Sequence, residues 1–158
     1  MKTPTRIVIG ADHAGFDLKE ALKAYLNELG YSIVDKGAFE KNNDDDYPDF
    51  IMPVAREVAS DPEHSRGIVI GGSGQGEAID ANRVKGIRAA VYYGDPEKSA
   101  DLGASIIKLS REHNDSNILS LGARFLSVDE AKEAVLLWLN TAFSGDERHV
   151  RRIAKLDI

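Results

Sequence analysis

No cysteine occurs at any of the 158 positions. Disulfides, thiolate zinc sites and thiol nucleophiles are therefore excluded. Positive charge is also in short supply: 26 acidic against 20 basic residues leave a net charge of -6. That balance argues against nucleic acid or an anionic membrane as the main partner, so any anionic ligand has to be met locally. No apolar stretch is long enough to span a bilayer, and Met1 to Arg6 carries no apolar signal region. A cytoplasmic location is the expectation. Repeats, linkers and low-complexity segments are absent as well. What is present is enough chain to bury a self-sufficient core, expected as one domain over 1–158.

Short apolar runs alternate with amphipathic stretches along this chain. Strands are predicted at Arg6–Ala11, Ser32–Asp35, Gly67–Ile70, Arg88–Tyr92 and Asn117–Leu121. Helices are predicted at Gly15–Leu29, Phe50–Ser60, Glu77–Val84, Ser99–Arg111, Val128–Phe143 and Asp146–Leu156. Continuous apolar strands separated by helices imply a parallel sheet covered on both faces. The expected fold class is α/β: a doubly wound, three-layer α/β/α domain, Rossmann-like, with about five parallel strands. Ligands in such sheets gather beyond the carboxyl ends of the strands. Asp12-His13, the run from Gly71 to Glu77, and Arg124 all fall there.

The densest signal is Gly71-Gly72-Ser73-Gly74-Gln75-Gly76-Glu77, directly behind the third strand. Glycines allow backbone N–H groups to turn toward an anion, and a helix start adds partial positive charge. A tight turn that merely packs helix on strand remains the bland alternative. The spacing fits neither the Gly-x-Gly-x-x-Gly dinucleotide fingerprint nor a phosphate loop ending in Gly-Lys-Ser/Thr. A phosphoacceptor domain is set aside too, because this strand ends in glycines where that fold needs an aspartate. Glu77 is the first side chain past the glycines able to move protons.

Other groups carry weaker signals. Asp12-His13 and His113-Asn114 pair an imidazole with a polar neighbour near strand ends, although a lone histidine is commonly structural. Neither pair has metal-ligand spacing. Arg148 and Arg152, four apart, share one helical face where two guanidinium forks can hold a phosphate; a solvated basic tail is the competing reading. Arg88 and Arg124 are each open to a structural role, and Arg124 alone follows a strand's carboxyl end. Asp44-Asp45-Asp46 lacks the alternation and the later glutamate of a calcium loop, so a solvated loop is expected. Tyr47-Pro48 behind it can bring that loop near a ligand. Trp138 and Phe143 are expected in the core, and His64 carries no functional signal.

Taken in order, Gly10-Ala11-Asp12-His13-Ala14-Gly15, Asp45-Asp46-Tyr47-Pro48, Gly71 to Glu77, Asn82, Gly86-Ile87-Arg88, Arg111-Glu112-His113-Asn114 and Arg148-His149 resemble the ribose-5-phosphate isomerase B family, shared with galactose-6-phosphate isomerase. The resemblance spans nearly the whole chain. It implies aldose–ketose isomerisation of a sugar phosphate without metal or organic cofactor. It also implies a homodimer with active sites shared between subunits, or a tetramer of such dimers. By resemblance Glu77 is the base, His113 the ring-opening acid, and Asp12, His13, Gly72, Ser73, Gly74, Gln75, Gly76, Asn114 and Arg124 bind substrate. Arg148 and Arg152 match its phosphate-binding arginines. The family has a cysteine-base and a glutamate-base branch; Gly71 stands at the cysteine position, so the chain resembles the latter. The segment 94–104 is longer than usual, which bears on pocket shape. Six-carbon sugar phosphates, or a non-catalytic sugar-phosphate-binding module, are the alternatives.

Proton abstraction beside a carbonyl leaves charge on oxygen, which loop N–H groups can stabilise, with Ser73 donating another hydrogen bond or relaying a proton. One tension follows. A helix N-terminus favours the carboxylate form of Glu77 and weakens it as a base. The expectation is that burial opposes this and that bound substrate, by excluding water, restores basicity.

Overall fold

A computed structural model describes residues 6–94 and 100–157. The strands are β1 (Arg6–Ala11), β2 (Ser32–Asp35), β3 (Ser65–Gly71), β4 (Ala89–Tyr92) and β5 (Ile118–Gly122). Between and after them come α1 (Phe16–Glu28), α2 (Pro48–Ser60), α3 (Gln75–Ala81), α4 (Ala100–Glu112), α5 (Val128–Asn140) and α6 (Glu147–Ile153). All strand pairs are parallel, in the order β2-β1-β3-β5-β4.

Successive side chains of a strand point to opposite faces, and here both faces are apolar. Ile7, Ile9, Ile68, Ile70, Leu119 and Leu121 join Leu22 and Leu26 of α1 and Val135 and Trp138 of α5 in one core. Val8, Val69 and Ile118 point the other way, into Ile51, Val54 and Val58 of α2 and Ala81 of α3. The fold is thus the expected three-layer α/β/α architecture. The strand order reverses between β1 and β3, and this crevice is where a doubly wound sheet receives ligands.

Boundaries shift where capping overrides the apolar pattern. The helix expected over 77–84 runs Gln75–Ala81, because Gly74 takes a left-handed φ of 77° and starts it early. At its far end the Asn82 side chain bonds both the amide and the carbonyl of Ala89. Apolar residues continue to Phe143, yet α5 stops at Asn140 as Thr141 turns extended and its hydroxyl donates to the Leu137 carbonyl. Ser127 and Glu130 cap its start reciprocally, a capping box readable as Ser-x-x-Glu. The strand expected from Gly67 begins at Ser65, since Ser65 and Arg66 pair with Arg6 and Ile7 despite their polarity. Residues 95–99 of the segment 94–104, expected to be long, lie outside the described residues.

Candidate active site

The glycine run is held from below by β5. Its Gly71 and Gly72 carbonyls accept from the amides of Ala123 and Arg124 at 2.8 and 3.1 Å. The buried Ser120 hydroxyl donates to the Gly74 carbonyl at 2.6 Å. The bare backbone is covered by side chains. A Cβ at Gly72 would lie 3.0 Å from Cζ of Arg124, and one at Gly76 would lie 2.9 Å from Cζ of Tyr47. Ser73 is exposed, its hydroxyl accepting from the Gln75 amide. Arg124 thus reaches the loop, as expected of an arginine leaving β5.

Glu77 does not point outward from α3. It is 5 % exposed, and its carboxylate folds back onto Gly71. Burial pushes its pKa up; the Asp12 and Asp80 carboxylates push the same way, against the backbone amides of Glu77 and Gly74, and the net shift is upward. The expected opposition between helix start and burial is present. Burial prevails in the free chain. Asp12 is itself buried at the end of β1, its Oδ1 accepting from the amides of Ala14 and Gly15.

The acidic loop departs from expectation. Asp44 and Asp46 are exposed, but the Asp45 side chain is turned inward onto His13. Asp45 lies 32 residues from His13, so no local spacing announced the pair. Asp12, His13 and Asp45 offer ligand atoms within 4.8 Å of one another, the cluster of metal-ligating groups found among the described residues. In it, Nδ1 of His13 is already bonded to Asp45.

A second group of polar residues assembles at the opposite end of the sheet. Helix α4 returns the chain to the amino end of β5, and His113 and Asn114 follow it there. Arg88 clamps this turn: Nε donates to the carbonyls of Asn114 and Asp115, and a terminal nitrogen pairs with the Asp115 carboxylate at 3.0 Å. Arg111 pairs with the other Asp115 oxygen at 2.8 Å. These bonds support the positive φ of 45° at Asp115. Arg88 is therefore structural.

Helix α6 docks on that turn through His149, whose ring stacks on His113 with centroids 4.3 Å apart and planes 16° from parallel. His149 is buried, and its Nε2 has no hydrogen-bond partner. Burial, then the neighbouring His113, lowers its pKa. Arg148 and Arg152 stay exposed on α6. His149 has no role readable from the sequence, because stacking across two elements leaves no local signal.

Within one chain these groups do not meet. The five residues of β5 separate them, roughly 16 Å at about 3.3 Å per residue. Asp12, His13, Glu77 and Arg124 stand at the carboxyl end, His113, Asn114, Arg148 and Arg152 at the amino end.

Known proteins share the sheet on which both groups are mounted. The chain matches the ribose/galactose isomerase family over residues 7–156. It belongs to that family. Ribose-5-phosphate isomerase B of Mycolicibacterium paratuberculosis is 40 % identical over 148 residues, 94 % of this chain and 87 % of that protein. The solved Clostridium thermocellum ribose-5-phosphate isomerase B superposes with a TM-score of 0.85 at 43 % identity, covering 96 % of this chain and 95 % of that one. The Mycoplasma genitalium enzyme with bound ribulose-5-phosphate gives a TM-score of 0.86 at 34 % identity, over 96 % and 93 % of the two chains. This ribose/galactose isomerase family member is thus an isomerase of the α/β class. Among its described residues no helix is long and apolar enough to cross a membrane.

Proposed function

We propose that the protein interconverts ribose 5-phosphate and ribulose 5-phosphate through an enediolate, with Glu77 moving the proton between adjacent carbons. The observation that carries this reading is the buried Glu77 carboxylate, with its raised pKa, lying against Gly71 inside a loop of backbone amides. A base works best with a pKa lifted toward the operating pH. The amides of the glycine loop then face the oxygen on which charge develops, and Ser73 is exposed to add a hydrogen bond. Asp12, His13 and Arg124 line the same end and bind the sugar.

Ring opening and phosphate binding fall to groups at the amino end: His113 as acid, Asn114 as a substrate ligand, Arg148 and Arg152 as the phosphate forks. A separation of roughly 16 Å exceeds the reach of one pentose phosphate between groups of a single chain. The site is therefore completed by a second copy in a homodimer, the partner subunit's His113 facing Glu77. Neither half needs a metal or organic cofactor for the proton transfers.

An isomerase assay over pentose and hexose phosphates tests the reading. Turnover of ribose 5-phosphate that falls about 10²- to 10⁴-fold in Glu77→Gln supports it, that being the usual weight of a general base. Preference for six-carbon substrates would move the substrate to a hexose 6-phosphate. Tight binding without turnover would make the chain a sugar-phosphate-binding module.

A further inference from the structure

Asp45 presents a physical puzzle. Its side chain is 8 % exposed, and Oδ2 is buried without a hydrogen-bond partner. Burying a carboxylate is costly unless its bonds compensate, and both flanking aspartates avoid the cost by staying exposed. All the hydrogen bonds described for its side chain go to one residue. Oδ1 accepts from the His13 backbone amide at 3.2 Å and lies 2.6 Å from His13 Nδ1. The loop is shaped for this delivery. Asn42 accepts the amides of Asp44 and Asp45 through its side chain and carbonyl, and two residues later Tyr47 rests on Gly76.

We propose that Asp45 is a positioning residue for His13: it holds the proton on Nδ1 and leaves Nε2 as the nitrogen that meets the ligand. The inference rests on the reading of His13 as a substrate contact. An ionised carboxylate only accepts, so the proton between the two groups sits on Nδ1 whether the imidazole is neutral or charged. Nε2 then accepts from a sugar hydroxyl in the neutral form and donates to an anionic oxygen in the charged form. Unpaired imidazole in water prefers the opposite tautomer, with the proton on Nε2. The backbone of His13 is already set by the Asp12 cap on Ala14 and Gly15, and Asp45 adds control of the ring.

Nitrogen-15 NMR of histidine-labelled protein reads the tautomer directly, with His13→Gln identifying the signal among four histidines. In the neutral form, wild-type His13 is expected to show protonated Nδ1 and bare Nε2. Asp45→Ala should release the ring to the Nε2-protonated tautomer and raise KM for ribose 5-phosphate about tenfold, the weight of one hydrogen bond to a charged group. Asp45→Asn, whose amide oxygen still accepts both bonds, should keep the tautomer and most of the KM. That rescue distinguishes positioning from loss of fold, which circular dichroism checks. An Nε2-protonated wild type, or an unchanged tautomer in Asp45→Ala, overturns the positioning. An unchanged KM in His13→Gln instead overturns the reading of His13 as a substrate contact.

Discussion

The Glu77 carboxylate occupies the space that a side chain at position 71 would need: a Cβ built on Gly71 overlaps it. Base and glycine are therefore one device, in which removing a methyl group from the strand end makes room for a carboxylate supplied by the following helix. Gly71→Ala should displace Glu77 and lower kcat at least a hundredfold, close to the effect of removing the base itself. Steady-state kinetics beside Glu77→Gln check this. A Gly71→Ala enzyme of near wild-type kcat would show that Glu77 acts from some other position.

Burial of Glu77 also predicts an exchange of stability for activity. Its folded pKa is raised, so the protonated form is favoured in the fold. That contribution is fully present below the ordinary carboxyl value near 4.3 and is lost as pH rises through the raised folded value. Glu77→Gln, shaped alike but uncharged, should melt above wild type at pH 7, and the gap should close by about pH 4. Thermal melts at both pH values measure it. The kcat/KM profile of the wild type should carry an acid limb above the ordinary carboxylate range.

Separation of the two polar groups by the length of β5 predicts complementation between inactive variants. In the proposed homodimer, Glu77→Gln and His113→Ala subunits each remove one half of every site. Subunit exchange produces mixed dimers in which one site regains both groups and the other loses both. A statistical mixture should recover about a quarter of wild-type activity. An assay before and after exchange decides, and no recovery would place both groups' action within a single chain.

The stack of His149 on His113 predicts an acid-sensitive dock for α6. The lowered pKa of His149 favours its neutral form, so its contribution is present above the ordinary value near 6.5 and lost as pH falls below it. Charging it would press an imidazolium against the His113 ring. His149→Phe keeps an aromatic face and removes both the titration and the unpartnered Nε2. Its melting temperature should fall less than that of the wild type between pH 7.5 and 5.

Strand and helix content was legible along the chain because each buried strand here is built around a short apolar run, and each helix carries an apolar stripe. Helix ends were less so. The start of α3 depends on the left-handed turn at Gly74, and the end of α5 on one threonine hydroxyl. Such single contacts override a pattern averaged over many residues.

The ordered glycines, Glu77, and the arginine pair Arg148 and Arg152 are local signals. The amino-acid sequence by itself determined the α/β class, the absence of thiol chemistry, the family, and the candidate groups at three strand ends. Only the tertiary structure decided how they combine. It turned Glu77 back onto Gly71 and buried it, brought Asp45 across 32 residues to His13, stacked His149 on His113, and set the two polar groups at opposite ends of one sheet. Burial, stacking and separation are distances between residues remote in the chain, and such distances are set by packing in three dimensions rather than by spacing along the sequence.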